Sequence, residues 1–523
     1  MSADRSRTAM GGRAARRGRA PRQDPVVAGV RWLDERLGVA KGGRVLLDKI
    51  FPDHWSFLLG EIALYSLVVL IATGVFLSLY FVPSAQDVIY HGVYAPLRGA
   101  KVSAAFESTV NLSFSVRSGL VIRQMHHWAA DVFVGAIAVH MCRIFFTGAY
   151  RKPRELNWMI GITLLILALT NGFIGYSLPD DLVSGTGLRI MFSIVLSIPI
   201  VGSYLATFLF GGNFPGDGTI IPRLFIVHVL VVPLVILGLL GAHLGLLVRQ
   251  KHTQFPGHGR TEKNVVGSPM YPTFIAKTTG FLFVTTGVLW GLGGLAQINP
   301  IWQFGQYHPY QISYAVQPDW YMGWLDGALR IMPPISWTLW GHTIPLVVFF
   351  PAVLFPGICF NLFYVWPFVE AKVTGDRAEH NLLDRPRDKP KRTAIGVAAL
   401  TFFFTLFAAS STDVLANYFK ISLNEVLWFF RFAVFIVPTI AGVFTYYLCR
   451  EMTGVPGIGR RKRAVVITRS AEGEYESVDT APRPGDGQDE LAPTPVPDRI
   501  ELDGGLEPVE AAGSGVRRIP RRV

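Results

Sequence analysis

Long apolar runs separated by polar loops set the pattern of this chain. Eight runs are long enough to cross about 30 Å of hydrocarbon as helices. They cover roughly 56–82, 124–147, 158–178, 223–248, 278–298, 342–366, 394–411 and 426–449, the seventh being the shortest. A ninth apolar stretch, 188–210, contains Pro199 and Gly202 and reads as helices lying along the surface. The pattern predicts an all-α polytopic membrane protein with eight transmembrane helices. A four-helix domain would occupy 49–260, and a C-terminal membrane domain 261–453. Residues 1–48, rich in Arg, Gly and Ala, read as a disordered basic arm. Residues 454–523 mix Pro, Gly and both charge signs and read as a disordered tail. The Arg16–Arg17 pair is followed by no apolar core, so the arm is not a secretory signal.

Composition agrees with the pattern. Half of the 523 residues are hydrophobic and only 16% are charged, which excludes an ordinary soluble protein and a disordered one. Nearly half of the cations, 23 of 49 Lys and Arg, lie in residues 1–54 and 451–523. The net charge of +12 is therefore no nucleic-acid signature. With the N-terminus inside, loops 148–157, 249–277 and 367–393 become cytoplasmic and hold fifteen Lys and Arg. The longer outer loops hold seven. Both termini then fall in the cytoplasm, in keeping with the positive-inside rule. The outer loops 83–123, 179–222 and 299–341 are long and contain many Trp, Tyr, Pro and Gly, as expected of a binding or docking face. The three cysteines, Cys142, Cys359 and Cys449, form no CxxC or CxxCH motif. Covalent haem, an iron–sulfur centre and a zinc site are not expected on this chain.

Four histidines fall inside the spans: His126 and His140 in the second, His228 and His243 in the fourth. A 14-residue step rises about 21 Å and returns within about 40° of its starting direction; a 15-residue step overshoots by about 60°. Each helix thus shows one face two imidazoles, one near each membrane surface. Because both helices run outside to inside, His126 and His228 share the outer level, and His140 and His243 the inner level. Two stacked bis-imidazole sites suit six-coordinate haem b, an electron-transfer cofactor. A single intramembrane His is as readily a hydrogen-bonded bundle residue; two matched pairs in register are much less so. His127 points about 100° away from His126 and receives no ligand role. Arg123 and Arg143, each one turn from a histidine, can pair with haem propionates, though snorkelling explains each of them as well. Gly60 and Gly74 in the first span, and Gly161 and Gly175 in the third, repeat the 14-residue step. They place one glycine at each haem level, where a flat macrocycle needs close backbone approach.

These residues resemble the cytochrome b subunit of cytochrome bc complexes, over roughly residues 50–450. The stretch Arg123-Gln-Met-His126-His127-Trp128 with His140-Met-Cys-Arg143 resembles that family's haem-binding helix. Gly172-Phe-Ile-Gly175-Tyr176-Ser-Leu-Pro179 resembles the end of its third helix, and Pro318-Asp319-Trp320-Tyr321 its quinol-site motif. The 15-residue step, the motif's Asp, Asp180-Asp181 after Pro179, the two tails and Leu382-Leu-Asp-Arg-Pro-Arg-Asp look most like actinobacterial members.

The resemblance implies a proton-coupled quinol:cytochrome c reductase in a bacterial plasma membrane. Quinol, menaquinol in such relatives, would be oxidised at the outer face. One electron would pass to a Rieske iron–sulfur subunit, and the other through two b haems to a quinone at the inner face. The implied partners are a dihaem cytochrome c subunit, an aa3-type cytochrome c oxidase in a supercomplex, and a second copy of the chain. Asp319 is the candidate base for the quinol protons, with Tyr321 beside it; in an arbitrary loop it would pass as a turn residue. Pro318, Trp320, Tyr176, Phe173, Gly187 and Met191 are candidate walls of the outer pocket. No role transfers to Asp326. Arg249, Lys251 and His252 are candidates for an inner quinone site, where the positive-inside rule accounts for them nearly as well. Two other classes remain open: a dihaem anchor linking a dehydrogenase or hydrogenase to quinone, and a transporter without redox cofactors.

Overall fold

The computed structural model describes residues 25–38, 43, 47–311, 316–339, 341–453, 465–469 and 475–479. Eight helices in it are long and apolar enough to cross a membrane. They are Trp55–Ser78, Gly119–Thr147, Glu155–Tyr176, Ile220–Arg249, Met270–Leu295, Leu346–Thr374, Pro390–Ala409 and Leu423–Met452. They correspond one to one with the predicted spans and are called the first to eighth spans below. The ninth apolar stretch forms two short helices, Leu182–Leu196 and Gly202–Phe210. The break between them contains Pro199 and Ile200, the latter at a φ of 69°.

Local chemistry fixes several helix ends. Ser422 and Glu425 form a reciprocal capping box at the start of the eighth span. Gly148 ends the second span at a φ of 66°, a left-handed conformation that costs glycine little. Asp181 is fully buried and caps Leu182–Leu196, its carboxylate accepting from the Ser184 amide at 3.3 Å. This gives the Asp180-Asp181 pair a structural task. Burial lifts the Asp180 carboxyl to about 6.

The fourth span contains a π-helical turn, Val227–Val231, which includes His228. A π turn accommodates one residue more than an α turn. The fifteen residues from His228 to His243 therefore span what fourteen would in a regular α-helix. The overshoot of about 60° expected for a regular helix is thus absorbed beside His228.

The first span packs closely on the second, the third on the fourth, and the seventh on the eighth. The second and fourth spans, which carry the four histidines, are not among the closely packed pairs. A central core joins the first four spans through Leu67, Phe133, Val134, Ala168 and Ile236, and Tyr321 inserts into it from the loop before Gly323. A second core unites the end of the third span with Leu182–Leu196, Gly202–Phe210 and the start of the fourth span.

Two elements lie in segments expected to be without structure. Pro25–Leu37 in the basic arm is helical, with the Arg36 guanidinium 4.2 Å from the centre of the Trp32 ring. The C-terminal unit, 458–523, contains an antiparallel pair of strands, Val465–Arg469 and Tyr475–Asp479. The rest of the two tails lies outside the described residues.

Candidate functional site

Two levels of histidine lie between the second and fourth spans, named outer and inner after the expected orientation. At the outer level, the rings of His126 and His228 have centroids 6.3 Å apart and planes at 74°. Two imidazoles on opposite faces of one metal, each bonded at about 2 Å, have centroids about 6 Å apart. The pair thus has room for one ion on its axis. His126 Nδ1 lies 2.8 Å from Thr73 Oγ1, whose own proton goes to the Val69 carbonyl at 2.6 Å. His228 Nδ1 lies 3.0 Å from the Asn171 carbonyl. Both contacts make Nδ1 the donor and leave Nε2 as the lone-pair nitrogen, the form a metal needs. At the inner level, Nδ1 of His140 is buried without a hydrogen-bond partner among the described residues, and the Asn157 backbone lies beside His243.

Each histidine faces one of the four glycines. A Cβ on Gly74 would lie 3.2 Å from His126 Cε1, and one on Gly60 3.2 Å from His140 Cε1. A Cβ on Gly175 would collide with His228 at 2.5 Å, whereas one on Gly161 would sit 3.9 Å from His243. Sequence spacing gave the level of each glycine; the structure shows that each also clears space around an imidazole. Arg123 is buried, with one guanidinium nitrogen 3.1 Å from the Asn299 carbonyl. Arg143 lies over the Phe57 ring at 4.3 Å. Nε of both arginines is buried without a partner among the described residues. Unmet cationic donors beside each histidine level fit an anionic, flat, iron-carrying group such as haem.

Next to the outer level, the Pro318–Tyr321 loop meets the second span. Asp319 accepts from the Tyr321 hydroxyl at 2.9 Å and lies 3.2 Å from His127 Nε2. Ligand atoms of His127, Asp131 and Asp319 all lie within 4.8 Å of one another. Asp131 Oδ1 is buried without a partner among the described residues. Burial raises the Tyr321 phenol well above its usual value, and the nearby Asp319, Asp131 and Tyr176 add to the rise. Tyr321 therefore stays protonated and acts as a donor. Glycines again make the room. A Cβ on Gly172 would meet the Tyr321 hydroxyl at 2.7 Å, one on Gly187 the Tyr176 hydroxyl at 2.6 Å, and one on Gly135 the Trp320 ring at 3.5 Å. Phe173 packs edge-on against Tyr176 at 5.4 Å, and Phe173 and Met191 both border the second core. Asp326 pairs with Arg330 at 2.7 Å, and Arg330 with Asp413 at 2.9 Å, which accounts for Asp326 structurally.

His127 and Asp131 are the residues sequence reasoning missed here. His127 lies about 100° from the haem-facing direction, which aims it at Asp319, and Asp131 is one helical turn further on. An acid inside a predicted span was the available signal.

The inner candidates have other tasks. Arg249 ends the fourth span, and the Lys251 ammonium donates to the Lys263 carbonyl at 2.9 Å. His252 is buried against Phe51, with ring centroids 4.4 Å apart. Burial, aided by Lys49 and Arg154, lowers its imidazole to about 4, so it is neutral at pH 7.

Comparison with known proteins decides the family. A family model described as cytochrome b (N-terminal)/b6/petB matches residues 131–306. The cytochrome bc1 complex cytochrome b subunit of Streptomyces coelicolor is 48% identical over 470 residues, covering 88% of this chain and 84% of that one. The chain belongs to the cytochrome b family. The corresponding subunits of Corynebacterium diphtheriae (52% over 417 residues, 80% and 77% covered) and Mycobacterium tuberculosis (50% over 452 residues, 85% and 81% covered) are similarly close. A solved chain described as hyperthermophilic respiratory Complex III shares the fold, with a TM-score of 0.58 at 22% identity over 80% of this chain and all of that one. As a cytochrome b, the protein is an integral membrane electron-transfer subunit of the bc1, or complex III, type, and the family brings haem b.

Proposed function

We propose that this cytochrome b carries two haems b, one held by His126 and His228 and the other by His140 and His243, with Arg123 and Arg143 on their propionates. The observation that carries this reading is the facing pair His126–His228, 6.3 Å between centroids, with a glycine opposite each ring. When bound, the haems supply reversible one-electron transfer between the two membrane levels. The chain then works as the cytochrome b subunit of a menaquinol:cytochrome c reductase in a bacterial plasma membrane, with both termini cytoplasmic. Its domains are the dihaem unit 49–260 and the quinol-loop unit 261–453, flanked by cytoplasmic tails.

At the outer face, Asp319 takes a proton from the quinol hydroxyl. His127 and the Tyr321 hydroxyl, on either side of Asp319, hold its carboxylate in place. Pro318 and Trp320 from the same loop and Phe173, Tyr176, Gly187 and Met191 wall the pocket, excluding water and orienting the ring. One electron leaves to a Rieske iron–sulfur partner and onward to a dihaem cytochrome c subunit. The other crosses this chain to reduce quinone at the inner face, which couples turnover to proton translocation. Docking to an aa3-type oxidase and pairing with a second copy complete the assembly.

A reduced-minus-oxidised spectrum tests the first claim: low-spin b-type bands equivalent to two haems per chain are expected, and a featureless spectrum refutes it. Asp319→Asn tests the second. Both haems remain, and quinol oxidation by the assembled complex falls by a factor of about 10² or more. Unchanged turnover refutes the assignment and leaves a dihaem anchor for a dehydrogenase as the better description.

A further inference from the structure

We infer that Glu61 is the carboxyl group that delivers protons to quinone at the inner face, a role that rests on the inner-site reading above. Glu61 is the sole charged residue of the first span, Trp55–Ser78. An acid inside a membrane helix is costly to keep and is by default functional. Its level is fixed by its neighbour: Gly60 faces the His140 ring. Its direction is fixed by its contacts. Glu61 Oε2 accepts from the Tyr65 hydroxyl at 3.0 Å and from the Thr278 hydroxyl of the fifth span at 2.9 Å. Those two hydroxyls also lie within contact of each other, so each can direct its proton to Glu61 or to its neighbour. Among the described residues, no cation forms an ion pair with Glu61. The carboxyl group is thus held by neutral hydroxyls and by no cation among the described residues.

Groups exposed to water lie close by in sequence. Lys277, next to Thr278 in sequence, donates to Asp53 at 2.9 Å and to Ser268 at 3.2 Å. About half of the Lys277 and Asp53 side chains is exposed. This exposed acid–base pair is one residue along the fifth span from the half-buried Thr278. The cations near this end are otherwise engaged: Lys251 on a carbonyl, Lys49 on the carbonyls that end the fourth span. His252 is neutral.

Reduction of a quinone takes up two electrons and two protons. The electrons come one at a time from the inner haem. The Glu61 carboxyl gives its proton to a ring carbonyl oxygen, forming the O–H bond of the quinol and leaving a carboxylate. That carboxylate takes a proton back from cytoplasmic water. The second proton follows the same way.

The test uses the assembled complex with Glu61→Gln and Glu61→Asp. In both, redox spectra should retain both haems. Reoxidation of the inner haem by added quinone should slow about tenfold or more in Glu61→Gln and recover in part in Glu61→Asp. The redox-induced infrared difference spectrum of the parent should show a protonated-carboxyl C=O band that Glu61→Gln lacks. Parent-like reoxidation, or an unchanged band, overturns the assignment. If the Gln variant does not assemble, Tyr65→Phe decides: loss of one hydrogen bond should shift the band, and an unshifted band overturns the claim. A parent complex whose inner haem is not oxidised by quinone refutes the inner-site reading itself, and with it this role.

Discussion

The two histidine levels are built from the same parts but held differently. At the outer level each Nδ1 has a fixed acceptor, Thr73 Oγ1 or the Asn171 carbonyl. At the inner level His140 Nδ1 is buried without a partner among the described residues, while His243 has the Asn157 backbone beside it. The surroundings differ in the same sense. Outside, the Pro318–Tyr321 loop brings Asp319 and Tyr321 into hydrogen-bond contact with His127 of the second span. Inside, the loops are tied by buried ion pairs: Arg392 with Glu370 and with Asp384, each at 2.7 Å, and Arg151 with Asp384 at 3.0 Å. Arg154 adds bonds to the His380 carbonyl and to Asn381, both at 2.7 Å. The outer contacts are hydrogen bonds around Asp319, whereas the inner ones are mostly ion pairs between helices and loops. Of the four imidazoles, His140 alone has no fixed acceptor for Nδ1 among the described residues.

The largest test of this contrast is removal of a ligand. His126→Ala or His228→Ala should abolish the outer haem, halving the b-type absorption, while the inner haem stays; His140→Ala or His243→Ala should do the reverse. Redox titration separates the two centres, and loss of one centre from both substitutions within a single helix would break the pairing. Next comes steric asymmetry. Gly175→Ala drives a methyl into His228, whereas Gly161→Ala meets His243 at ordinary contact distance. Gly175→Ala should lower outer-haem content by about half or more, because the packed ring has nowhere to move. Gly161→Ala should leave the inner haem in place, and equal losses would show that the levels are not distinct. The smallest effect belongs to Thr73→Val. Losing its hydrogen bond makes His126 a weaker donor to ferric iron, which raises the outer potential. A bond worth about 1 kcal/mol corresponds to about 40 mV for one electron. The inner potential should not move.

Much of this was legible in the chain. The eight spans follow from apolar run length alone, and the levels of the four histidines and four glycines follow from a 14-residue step. The glycine contacts were not legible, because spacing gives a level and not a partner. His127 and Asp131 escaped notice because their meaning depends on Asp319, nearly two hundred residues away, and long-range contacts leave no local period. Glu61 was hidden in the same way: its acceptor role shows only when the fifth span brings Thr278 to it. The π turn was announced by an awkward fifteen-residue interval, but periodicity could not say where the irregularity lay. The helix at Pro25–Leu37 and the paired strands Val465–Arg469 and Tyr475–Asp479 were obscured by polar, Gly- and Pro-bearing surroundings.

The wide turn at Val227–Val231 also makes the fourth rod forgiving at one place and brittle elsewhere. Deleting a single residue there would iron out the bulge and leave the lower half of the rod pointing as before. The same deletion between Leu237 and Gly241 would swing everything above it by about 100° relative to His243, so the chain has a built-in site where its length can drift without unseating either clamp.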